Sequence, residues 1–126
     1  AEAVYLVAHT DSSGRQLDSA RRYRVEFDGP VPANSFWSLM AYDWPGVRLQ
    51  KNDYDRYSVD GRKPGLKLNP TGGPVIEVSA DPAGSPSDVG WLPLPKGEVS
   101  LVVRLYEPKR SVLNGTWKHP RIERLD

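Results

Sequence analysis

Cysteine is absent from this chain of 126 residues. That excludes a disulfide scaffold, a thiolate metal site and a cysteine nucleophile, and it leaves the redox compartment open. Histidine is scarce: His9 and His119 stand far apart in sequence, and a lone strand histidine is more often packed or solvated than catalytic. No apolar run reaches the length that spans a bilayer, and no basic n-region leads into an apolar h-region. An excess of one charge is missing too. Lys+Arg 17 against Asp+Glu 16 leaves a net charge of +1 with the signs interspersed, so composition makes no case for nucleic acid or an anionic membrane. No G-x-S-x-G elbow, strand-borne G-x-G-x-x-G or phosphate-binding G-x-x-x-x-G-K-[ST] occurs. The motifs therefore imply no cofactor and no metal, and name no catalytic residue.

What the chain does have is punctuation. Gly 11 and Pro 12 separate short apolar runs, as in a turn-rich β protein. Residues 3–9, 22–28, 35–43 and 74–80 alternate with the period of a strand. In 35–43 both faces are largely apolar, which predicts a central strand. Between Trp44 and Pro70 the pattern decays into brief pieces: strands at 47–49 and 57–59, and a helical turn around 53–56. Residues 81–90 read as a polar loop. The segment 90–106 joins a proline-locked loop, Trp91-Leu92-Pro93-Leu94-Pro95, to a long alternating strand. There Val99, Leu101, Val103 and Leu105 oppose Ser100, Val102, Arg104 and Tyr106. Short strands at this spacing predict an all-β fold, a single-domain antiparallel β sandwich over residues 1–126.

Chemistry-bearing residues have competing readings. Asn52-Asp53-Tyr54-Asp55 places oxygens at alternate positions, but it lacks the glycine and distal glutamate of a calcium loop. A turn with Asx caps is the better reading. Asn114-Gly115-Thr116 fits a glycosylation sequon and equally a tight turn, which we favour. Trp37, Tyr42, Tyr57, Trp91 and Tyr106 lie beside turns or charges, where aromatics either form stacking platforms for ligands or plug the ends of a small core. Arg56 is placed to pair with Asp55. Arg104, inside a strand, calls for a carboxylate partner in a structural ion pair, or else it anchors a carboxylate or phosphate of a ligand.

Taken in order, Phe36-Trp37-Ser38-Leu39, Tyr42-Asp43, Arg56-Tyr57-Ser58, Trp91-Leu92-Pro93, Pro95-Lys96-Gly97, Arg104-Leu105-Tyr106-Glu107-Pro108 and Gly115-Thr116-Trp117 resemble the DUF1214 domain family. The resemblance runs from Glu2 to the end of the chain. It implies a jelly-roll-like sandwich, a bacterial and exported (periplasmic or secreted) protein, and a DUF1254-type domain as a companion. It carries over no activity and no catalytic residues. Gly90 departs from the family, which has asparagine before the Trp-Leu-Pro.

Three functions remain open. The first is a non-catalytic binding or partner module using Trp37, Tyr42, Arg56, Tyr57, Trp91, Arg104 and Tyr106 toward a small polar ligand or another protein. The second is an enzyme on a small polar or carbohydrate substrate, with Asp43 or Asp60 as base and Arg56 or Arg104 as clamp. The third is a structural unit that forms homo-oligomers through exposed strand edges.

Overall fold

A computed structural model describes residues 3–62, 64–84 and 88–126. It contains eight strands in chain order: β1 (Ala3–Ala8), β2 (Tyr23–Glu26), β3 (Ala33–Asp43), β4 (Ser58–Asp60), β5 (Val75–Ser79), β6 (Trp91–Pro93), β7 (Val99–Pro108) and β8 (Arg121–Arg124). One short helix, α1 (Arg110–Leu113), follows β7. The strands form two four-stranded sheets, ordered β1-β7-β3-β4 and β6-β5-β2-β8. The fold is an all-β sandwich, as the alternation predicts. Every pair is antiparallel except β5 with β6, which run parallel. The central position expected for the 35–43 strand holds, since β3 lies between β7 and β4.

The core follows from strand parity. On β7, Val99, Leu101, Val103 and Leu105 are all buried and pair in register with inward residues of β3 and β1. They face Tyr23 and Val25 of β2, Ile76 and Val78 of β5, Leu92 and Ile122 across the sandwich. Each fully buried aliphatic side chain of this kind contributes about 1.5–3 kcal/mol relative to exposure.

Several finer expectations fail for physical reasons. Residues 47–49 form no strand: Val47 and Leu49 are exposed, and the segment wraps around Asp43, whose carboxylate accepts from Arg48 N and Gln50 Nε2. No helix forms at 53–56. Asn52 instead organises a loop, its Oδ1 accepting from the N–H groups of Tyr54 and Arg56 while its Nδ2 donates to Arg56 O. This is the Asx turn preferred above over a calcium loop. Asn114 likewise closes its own turn, accepting from Thr116 N and Oγ1. In the 81–90 loop, residues 85–87 lie outside the described set, as do Ala1 and Glu2. None of the described helices is long and apolar enough to cross a membrane.

Candidate functional site

The seven candidate side chains are not gathered in one place. Strand parity sends Trp37 inward with Leu39 and Ala41, whereas Tyr42, Arg104 and Tyr106 point outward. Trp37 packs against Phe27, ring centroids 5.5 Å apart, and its indole edge lies over Gly61, where an added Cβ would sit 2.2 Å from Nε1. That indole helps close the end of the core.

Trp91 and Arg56 meet at a second location. Trp91 is only 3% exposed; its indole N–H donates to Ser79 Oγ at 2.9 Å, and Tyr54 meets its ring edge-on at 4.8 Å. Arg56 forms no ion pair with Asp55 among the described residues. It reaches instead across to the β6 loop, donating through Nη1 to Asp88 O and to Trp91 O. Tyr57 is part of the same clasp, its hydroxyl 3.5 Å from Asn52 N. The arrangement staples the 52–57 loop onto β6, which is a structural task. Gly90, the departure from the family pattern, keeps ordinary room for a Cβ, with nothing closer than 3.5 Å.

The third location differs in kind. The outer face of β1-β7-β3-β4 is largely apolar and aromatic, and Arg104 stands at its centre. Across the sheet Tyr5, Arg104, Ser38 and Asp60 lie in register on four successive strands. The Arg104 guanidinium lies 5.1 Å from the Tyr5 ring centroid, and its Nη2 donates to Tyr42 Oη at 3.3 Å. Tyr42 in turn donates to Met40 Sδ. Arg104 has no carboxylate partner among the described residues, and its Nε is buried without an acceptor. The structural ion pair expected for it is therefore missing. Nearby, Phe36 packs on Tyr106 at 5.3 Å while Arg62 covers Phe36 at 4.1 Å. Tyr5 and Val7 remain 56% and 54% exposed.

The opposite outer face makes the contrast. On β6-β5-β2-β8 the guanidinium of Arg22 pairs with Glu77, Arg24 with Glu26 and Glu123, and Arg121 with Glu26 and Glu123. Arg24 Nε also lacks a hydrogen bond, but it lies 3.5 Å from Glu26 Oε1. Such exposed pairs contribute little stability each, yet they mark a face built for water.

The two carboxylates considered as bases are placed apart. Asp43 closes the loop at the far end of β3, where the Arg48 backbone N–H, with help from Gln50, holds its carboxyl below the ordinary carboxylate value despite desolvation. Asp60 lies in the Arg104 row, two strands away across Ser38, and caps Arg62 N at 2.9 Å. Among the described residues no group of three or more His, Asp or Glu gathers in metal-binding proximity. Sequence reasoning omitted Tyr5 and Arg62 from this face. The alternation of residues 3–9 already put Tyr5 opposite Leu6, but its neighbour across the sheet depends on register, which no local pattern carries.

Fold and site together define a small two-layer β sandwich with one charge-paired face and one apolar face centred on a cation that has no carboxylate partner among the described residues. The family model described as protein of unknown function (DUF1214) matches residues 2–110, and the chain belongs to that family. A comparison with curated proteins finds no match. Among solved structures, the VPA0106 protein from Vibrio parahaemolyticus superposes with a TM-score of 0.86 at 28% identity, over 99% of this chain and 31% of that one. A putative uncharacterized protein from Burkholderia cenocepacia, at 21% identity and TM-score 0.58, shares the fold over 98% of this chain and 29% of its own. The chain thus spans about a third of the length of the solved structures it matches.

Proposed function

We propose that this chain is a non-catalytic interaction module whose outer β1-β7-β3-β4 face docks on a protein surface that brings an oxygen acceptor to Arg104. One observation carries the reading: a half-buried guanidinium whose Nε has lost water and found no acceptor among the described residues. Leaving such a donor unmatched costs about 1–3 kcal/mol, a cost that a carboxylate or carbonyl from outside removes. The apolar surroundings supply the rest, because a guanidinium ringed by aromatics is what protein interfaces bury at their centres. A broad sheet face suits a protein better than a small polar ligand, which needs concavity. The lengths of the similar solved chains give such a surface a source within one polypeptide, and a DUF1254-type domain is the companion that family membership suggests. A bacterial setting is supported by the sources of both similar structures, and an exported location belongs to the same reading.

An enzyme is the second reading, and it now rests on the Asp60–Ser38–Arg104 row alone, Asp43 being engaged elsewhere. The two readings separate by photocrosslinking in the native host. A photoreactive residue at position 106 is expected to crosslink to one discrete segment, of its own polypeptide or of a partner protein, and the same residue at position 77 on the ion-paired face to none. Equal labelling from both positions would sink the docking role of this face.

A further inference from the structure

The two sheets do not close evenly along their length. β1 is an edge strand, paired with β7 alone among the described strands. Its inward residues Val4, Leu6 and Ala8 stay half-buried, whereas their register partners on β7 are buried. Between β1 and β8 the structure leaves an apolar cavity of about 110 Å³, walled by Leu6, Ala8, Val25, Leu39 and Ile122, with His119 at its rim. Apolar cavities on the order of 150 Å³ stay dry and accept a benzene ring. This one suits a single large aliphatic side chain.

The four sheet edges are protected unequally. β4 and β6 have three residues each, with Asp60 on the first and Pro93 on the second. β8 carries Arg121, Glu123 and Arg124. These are the usual means of preventing another strand from pairing: shortness, proline and charge. β1 has none of them. Its six residues, Ala-Val-Tyr-Leu-Val-Ala, contain no charge, proline or glycine, and their register with β7 is unbroken.

We propose that the free edge of β1 is a strand-addition site. Its occupant is an extended, uncharged segment with aliphatic residues at alternate positions, supplied from polypeptide outside residues 3–126. A strand added beyond β1 continues the inward–outward alternation, so its inward side chains fall over the open seam and one fills the cavity. Backbone hydrogen bonds to β1 supply affinity, and the cavity supplies selection for a large aliphatic residue. The length of the Vibrio parahaemolyticus chain, of which this domain covers 31%, gives such a segment a source. Arg104 neither lines the cavity nor lies on β1, so either proposal can fail while the other stands.

The test uses the isotopically labelled chain and a synthetic ten-residue peptide with leucine or valine at every second position, threonine between them and a lysine at each end. Binding is expected to shift the backbone amides of 3–8 and slow their hydrogen exchange. A peptide N-methylated along one edge is expected to bind at least tenfold more weakly. Val7→Lys, at a position that is 54% exposed and also borders the cavity, is expected to weaken binding tenfold or more. Ala8→Leu, which fills the seam from within, should raise the melting temperature of the free chain and weaken the peptide by a similar factor. Absence of shifts at millimolar peptide, or shifts confined to other strands, overturns the proposal. So does a dimer in sedimentation equilibrium that Val7→Lys dissociates, because a second copy would then own the edge.

Discussion

Replacing Arg104 with methionine separates an internal ion pair from a cation held for a partner. The substitution keeps most of the aliphatic stem and removes only the guanidinium. Lost with it are one long hydrogen bond to Tyr42, 3.3 Å, and a stacking contact with Tyr5 at 5.1 Å. The first is worth about 0.5–1 kcal/mol and the second about as much. Gained is relief of the desolvated Nε, about 1–3 kcal/mol. The balance lies between a loss of about 1 kcal/mol and a gain of about 2 kcal/mol. Breaking a buried Arg–carboxylate pair would instead cost about 3–5 kcal/mol. Urea unfolding followed by tryptophan fluorescence reads the difference as a shift in midpoint at constant m. A destabilisation of 3 kcal/mol or more would refute the reasoning, since it would mean that the domain already satisfies Arg104 internally.

Other perturbations probe the surrounding structure. Trp91→Phe removes the indole donor to buried Ser79 and is expected to cost about 1–3 kcal/mol in the same urea assay; no loss would mean that the indole bond is dispensable. Gly73→Ala would drive a Cβ to 1.9 Å from Phe27 O, a backbone atom that cannot swing aside, and is expected to cost about 3 kcal/mol or more. Asp11 provides a pH dependence. The Ser13 hydroxyl, then the backbone N–H groups of Arg15 and Ser13, hold its carboxyl below the ordinary value against the opposing effect of burial. A lowered folded-state pKa stabilises the fold above the ordinary carboxylate range, and that stability is lost as pH falls through the lowered value. Asp11→Asn should therefore flatten part of the acid limb of a stability–pH curve, and an unchanged limb would contradict the assignment.

Legibility in the sequence followed periodicity. Residues 99–106 state their own two faces, and 35–43 state a central strand, because parity is local and burial on both sides leaves no polar alternative. The same parity was enough to separate Trp37 from Tyr42, although both entered as candidates on residue type. Within residues 44–70 the strand expected at 57–59 appears as β4, but the rest was not legible because side chains rather than alternation shape it: Asp43, Asn52 and Asn69 bind nearby backbone N–H groups and set the path. The parallel pairing of β5 with β6 and the four-residue α1 have no periodic signature at that length. The surroundings of Arg104 required register as well. Tyr5 and Ser38 flank it only because β1 and β3 slide to one alignment beside β7, and nothing within residues 99–108 encodes that alignment.

The Nε–Hε resonance of Arg104 puts the docking role to a physical test. Titrating the labelled chain with phenylacetate presents to Arg104 a carboxylate on an apolar body, an acceptor that none of its described neighbours supplies to Nε. The Arg104 signal is expected to shift and saturate in the millimolar range, while the Arg24 signal, whose guanidinium already has Glu26 and Glu123, stays fixed. An Arg104 signal that ignores the carboxylate, or that moves only in step with Arg24, would contradict the claim that this cation awaits an acceptor from outside.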